Sequence, residues 1–183
     1  MKNLVEQIED YKKESSKIIE NISSEEVSSF VKLILQAYEN EATVFACGNG
    51  GNAAGVQNLV VDMNMHPFVS EDKGSSNVER NLFNCVSLSA CTATLTGISN
   101  DLGYEHVFVE QLRFQGKPGD VLFCITGSGN SKNVIKAAEY AKSVGMQVVT
   151  ITRGVDSKCE DVSDVVIHVT GEDSVFPGQT GKN

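Results

Sequence analysis

The sequence predicts an α/β protein: a five-stranded parallel sheet flanked by helices, with an N-terminal helical pair ahead of it. Three observations carry that expectation. Five short apolar runs, at 43–47, 85–88, 121–125, 148–151 and 165–169, alternate with stretches of helical periodicity. The runs are continuous and rich in Val and Ile, as strands covered on both faces require. Two glycine-rich turns, Cys47-Gly48-Asn49-Gly50-Gly51-Asn52 and Thr126-Gly127-Ser128-Gly129-Asn130-Ser131, each close an apolar run and open a helical stretch. Strands alternating with helices form parallel sheets through right-handed crossovers.

Residues 3–21 read as a helix, because Leu4, Ile8, Tyr11, Ile18 and Ile22 recur near a 3.6-residue period among Glu and Lys. Ser23-Ser24-Glu25-Glu26 reads as the next helix start, with Ser23 as N-cap and Glu26 at the capping-box position. Val27, Phe30, Val31, Ile34, Leu35 and Tyr38 then line one side of a second helix. This pair can pack on the sheet, on itself or on another subunit. Further helical stretches fall at about 53–64, 91–98, 104–115, 131–144 and 156–161. Residues 66–83 form a long polar loop, of the kind that often carries function. The expected organisation is a helical pair at 1–41 for oligomerisation, a ligand-binding domain at 42–170 and an irregular tail at 171–183.

The 183 residues, 40% hydrophobic and 21% charged, fit one domain with a sizeable core. A net charge of −9 argues against sequence-independent nucleic-acid binding, which needs a basic footprint. No apolar run approaches the roughly 18 residues of a membrane span, and the charged, amphipathic N-terminus does not read as a secretory leader. The expectation is a cytoplasmic protein without membrane partners. Cys47, Cys85, Cys91, Cys124 and Cys159 show no CxxC spacing. They read as buried free thiols in a reducing compartment, with no role in catalysis or metal binding.

The two turns carry the chemistry. Backbone N–H groups at a helix start, with no side chain in the way, form an anion site. The second turn adds the hydroxyls of Thr126, Ser128 and Ser131. Neither turn has the GxxxxGK[ST] pattern of a P-loop. Gly48-Asn49-Gly50 imitates the start of a dinucleotide fingerprint, but the third glycine is missing and no acidic residue ends a following strand. A small phosphorylated or otherwise anionic ligand remains.

Phe45-Ala46-Cys47-Gly48-Asn49-Gly50-Gly51 resembles the first signature of the sugar isomerase (SIS) domain, in its phosphoheptose isomerase branch. Ile98-Ser99-Asn100-Asp101-Leu102-Gly103-Tyr104 resembles a second segment of that branch. Ser128-Gly129-Asn130-Ser131 followed by Asn133-Val134-Ile135-Lys136-Ala137-Ala138 resembles its phosphate loop and the helix behind it. The resemblance implies a flavodoxin-like sheet, a homotetramer built through the N-terminal helices, and sites between subunits. It also implies isomerisation of sedoheptulose 7-phosphate to a heptose 7-phosphate. The phosphate is expected on Thr126, Ser128, Asn130 and Ser131. The sugar is expected at Asn49, Gly50, Gly51, Asn52, Asn58 and Asp101.

The chain departs from that pattern where the chemistry should lie. The branch carries a His and, four residues on, a Glu on the helix after the first turn; here those positions are Asn58 and Asp62. The i, i+4 spacing still puts both on one helical face. Aldose–ketose isomerisation moves a proton between adjacent carbons and needs a base beside them. Asp62 is the expected base, with His66 as a second acid/base candidate. The branch's C-terminal Gln/His helix has no counterpart in these 183 residues, so the zinc that some members bind lacks matched ligands and no cofactor is expected. His106 and His168 read as structural, and Glu110 and Gln111 as a solvated helix face. The rival expectation is a non-catalytic phosphosugar-binding protein, either a metabolite sensor or a partner of the bacterial replication initiator. A third expectation is an isomerase of a different sugar phosphate.

Overall fold

The computed structural model describes residues 3–65, 83–154 and 156–171. Helix α1 spans Leu4–Glu20 and α2 spans Ser24–Glu39. Then follow β1 (Thr43–Gly48), α3 (Gly51–Met65), β2 (Asn84–Ser87) and α4 (Thr92–Leu102). A 3₁₀ turn at Tyr104–His106 leads into α5 (Val109–Gln115) and β3 (Val121–Thr126). The chain continues through α6 (Lys132–Ser143), β4 (Gln147–Thr152), α7 (Lys158–Asp161) and β5 (Val165–His168).

All strands are parallel, in the order β2-β1-β3-β4-β5, so the expected five-stranded sheet is present. The winding direction reverses between β1 and β3. In open α/β sheets such a switch point leaves a crevice at the carboxyl ends of the strands. Cys47 pairs with Cys124 and Gly48 with Ile125, so β1 and β3 end almost level. Both glycine turns therefore open on the same crevice.

Helices cover both faces, as the continuous apolar runs require. On one face Phe45, Leu122, Cys124 and Val148 pack against Leu112 of α5 and Val134, Ala137 and Ala141 of α6. On the other, Val44, Ala46, Phe123 and Val149 pack against Leu33, Ile34 and Ala37 of α2 and Val56 of α3. The Phe30 and Phe123 rings meet at 5.4 Å. Of the three packing partners open to the N-terminal pair, α2 takes the sheet. Helix α1 does not: Ile18 is its one buried residue.

Three local expectations are corrected. Ser23 does cap α2, accepting the Glu26 N–H at 3.2 Å. The Glu26 carboxylate, however, reaches β5 rather than completing a capping box there. It accepts the His168 N–H at 3.0 Å and lies 2.9 Å from His168 Nδ1. The reciprocal box forms instead on α1, between Asn3 and Glu6. Gln111 is buried rather than solvated, its amide donating to the carbonyls of Leu88 and Val107. Cys91 is exposed, whereas Cys47, Cys85, Cys124 and Cys159 are buried.

Candidate functional site

Steric necessity shapes both turns. A Cβ at Gly48 would lie 3.0 Å from the Asn52 backbone, and Gly50 has a φ of +57° that L side chains rarely adopt. In the second turn Gly129 combines a φ of +65° with a Cβ position 2.1 Å from Ser157 Oγ. Asn130 braces this turn from within. Its N–H donates to Ser128 Oγ, its side-chain amide to the Ser128 carbonyl, and its Oδ1 accepts the Lys158 N–H.

Two hydroxyls of the turn are differently placed. Ser131 is the N-cap residue of α6 but its side chain makes no capping bond. Thr126 is only 3% exposed, and its Oγ1 has no hydrogen-bond partner among the described residues. Thr126, Asn52, Thr152 and Arg153 line a cavity of about 250 Å³ at the ends of β3 and β4. Asn49, Gly103, Tyr104, Glu105, Ser131 and Asn133 line another of about 510 Å³ at the switch point. A wider cleft of about 1070 Å³ is lined, among the described residues, by α1 alone.

The turns are tied to each other by side chains. Asn49 and Asn133 exchange two amide hydrogen bonds, at 3.0 and 2.8 Å, and the Tyr104 hydroxyl donates to Asn49 Oδ1 at 2.8 Å. At the rim Lys136 donates to Glu105 at 2.6 Å, and this bond with its charge holds the Glu105 carboxyl below its usual range. Beneath the turns the Cys124 thiol is pushed well up by its contact with Cys47 and by burial, so it is no thiolate nucleophile.

The crevice thus gathers Asn49 with Ser131, and Asn52 with Thr126. Neither cavity is lined by Asp101, Asn58 or Asp62. Asp101 is exposed on α4, accepts from Asn100 and lines neither cavity. Asn58 and Asp62 share one face of α3, with Asn58 Nδ2 donating to Asp62 Oδ2 at 2.9 Å. Asp62 follows Gly51 by eleven residues, about 16 Å of helix axis. His66 lies outside the described residues. An amide at 58 bonded to a single carboxylate is a poor donor set for zinc, and no group of three or more His, Cys, Asp or Glu able to hold a metal occurs among the described residues. No helix there is long and apolar enough to cross a membrane.

The SIS domain model matches residues 10–153. A phosphoheptose isomerase of Helicobacter pylori (strain P12) is 36% identical over 164 residues, 90% of this chain and 80% of the relative. The chain belongs to the SIS family, in its phosphoheptose isomerase branch. A phosphoheptose isomerase of Neisseria gonorrhoeae is 40% identical over 133 residues, 73% of this chain and 63% of the relative. The solved phosphoheptose isomerase structure from Neisseria gonorrhoeae superposes with a TM-score of 0.72 at 33% identity, covering 94% of this chain and 88% of that one. One from Francisella tularensis, 24% identical, gives 0.82 and shares the fold over 97% and 91%. Within this SIS fold, sequence reasoning left Tyr104, Asn133 and Arg153 without roles. Tyr104 and Asn133 stand inside the quoted motifs, and a polar residue directly after Gly103 and another two places after Ser131 were the available signals.

Proposed function

We propose that this SIS-family chain is a sugar-phosphate isomerase of the phosphoheptose type, converting sedoheptulose 7-phosphate to a heptose 7-phosphate. The observation that carries the reading is the uncapped Ser131 at the start of α6, lining the switch-point cavity with Asn49, in a chain whose relatives are named phosphoheptose isomerases. The phosphate is assigned to Thr126, Ser128 and Ser131 and the amino end of α6, where backbone donors and the helix dipole favour negative charge. Asn130 acts by holding the Ser128 hydroxyl in place. The sugar is assigned to Asn49, Asn52 and the Gly50-Gly51 backbone.

Asp62 is assigned as the base. It takes the proton from C1, beside the ketose carbonyl; the resulting enediolate passes its hydroxyl proton from O1 to O2 and regains the carbon proton at C2 from the same carboxyl, leaving the aldose carbonyl at C1. Asn58 orients that carboxylate through its 2.9 Å bond. Asp62 stands about 16 Å along α3 from Gly51. A site completed by a second subunit fits this spacing. Exposed Leu4, Ile8 and Tyr11 on α1, with Val27, Val31 and Leu35 on α2, support a homotetramer joined there. Asp101 then belongs to a neighbour's pocket. Buried free thiols accord with a cytoplasmic place.

Incubation with sedoheptulose 7-phosphate, followed by NMR of the aldose, tests the reading. Turnover is expected, reduced about 10²-fold or more in Asp62→Asn and weakened in affinity in Ser131→Ala. Tight binding without turnover by the assembled wild type overturns the isomerase assignment. Full turnover in Asp62→Asn overturns only the base.

A further inference from the structure

We infer that Tyr104 is a specificity-determining contact, an acceptor that reads a hydroxyl of the ligand's polyol chain. The inference rests on the sugar-phosphate reading of the site and deepens it. Its basis is the polarity of one hydrogen-bond chain. The Val134 N–H is shared between the Ser131 carbonyl and Asn133 Oδ1, each at 3.0 Å. A backbone N–H can only donate, so the oxygen of Asn133 must face it. The same oxygen accepts from Asn49 Nδ2, which sets the Asn49 amide, and Asn133 Nδ2 donates back to Asn49 Oδ1. The Tyr104 hydroxyl, 2.8 Å from Asn49 Oδ1, therefore spends its only hydrogen on Asn49.

The consequence for a ligand is directional. Asn49 Oδ1 is occupied by two donors, so Asn49 offers the cavity the second hydrogen of its amide. Tyr104 offers the cavity only lone pairs. Tyr104 is 56% exposed and lines the 510 Å³ cavity with Ser131 and Gly103. The wall thus presents a donor next to an acceptor, in the cavity that Ser131 of the phosphate turn also lines. A sugar chain with free hydroxyls matches both. Inorganic phosphate, whose oxygens mostly accept at neutral pH, matches Asn49 and Ser131 and gains nothing from Tyr104.

The test compares two ligands on one substitution. Calorimetry should find Tyr104→Phe weaker for sedoheptulose 7-phosphate by about three- to tenfold, the loss of one hydrogen bond, with inorganic phosphate bound as by the wild type. Because Tyr104 is exposed, melting should be unchanged. Resolved side-chain amide resonances of Asn49 and Asn133 should shift in Tyr104→Phe, a check independent of any ligand. Equal loss for both ligands assigns Tyr104 a merely structural role and overturns the inference. So does unchanged sugar-phosphate affinity, or a wild type that holds sedoheptulose 7-phosphate no tighter than phosphate. Binding with the predicted discrimination but no turnover leaves the inference standing and fails the isomerase reading alone.

Discussion

Asp120 is fully buried, and three hydrogen bonds meet its carboxyl group. Its carboxylate accepts the Thr43 N–H at 2.9 Å, the Lys117 N–H at 3.0 Å and the Lys117 ammonium at 2.7 Å. It pins the starts of β1 and β3 together, at the end of the sheet opposite the glycine turns. Removing it strands a buried backbone donor, and bonds to a charged group are the stronger kind. Asp120→Ala should lower unfolding stability by about 3 kcal/mol in urea titration, and Asp120→Asn by less. An unchanged midpoint in both variants contradicts this account. The thiols make a second residue-scale case. Burial pushes Cys85 and Cys159 up to about 12, whereas hydrogen bonds from Thr94 lower the exposed Cys91 thiol. A thiol reagent at neutral pH should label Cys91 at once and the other four only on unfolding. Two or more fast-reacting thiols in the native protein contradict it.

At the scale of elements, what was legible in the sequence was whatever local physics decides. Each strand showed as a continuous apolar run because a doubly covered strand has no polar face to spare. The turns showed because Gly50 and Gly129 occupy backbone conformations that other residues avoid. Glu26 was misread because its local capping signal lost to His168, 142 residues away in the chain. Tyr104 and Asn133 were silent for the same reason: their partner Asn49 is 55 and 84 residues distant. Asp62 was picked from a motif position, and helix rise alone places it well beyond the turn. The Glu26–His168 link joins α2 to β5 and titrates. The bond to Glu26 raises His168 above its ordinary value, with Glu160 adding to it. A raised histidine contributes its stability in full below about pH 6.5 and loses it as pH rises through the raised value. The melting-temperature gap between wild type and His168→Gln should therefore be larger at pH 6 than at pH 9. An equal gap at both pH values means that the link is not titrating.

For the whole molecule the outlying element is α1. It runs for 17 residues with one buried side chain, and Leu4, Val5, Ile8, Tyr11 and Ile19 stand exposed. The Asn3–Glu6 capping box favours its start, but an isolated helix of this length is marginal in water. Most helical stability comes from burying an apolar face, and among the described residues the face here buries only Ile18. Val27, Val31 and Leu35 continue the exposed apolar surface onto α2. Formation of α1 should accordingly be linked to self-association, because the copy that covers the face supplies the missing burial. The double substitution Leu4→Lys, Ile8→Glu should yield a particle near the 19.7 kDa of one chain by light scattering. It should also lose helical circular dichroism equivalent to about one such helix, while the sheet and its melting remain. Dilution of the wild type should cost the same helical signal over the range where the mass falls. A wild type that is monomeric with α1 fully helical breaks the link, as does a double variant that keeps the wild-type mass.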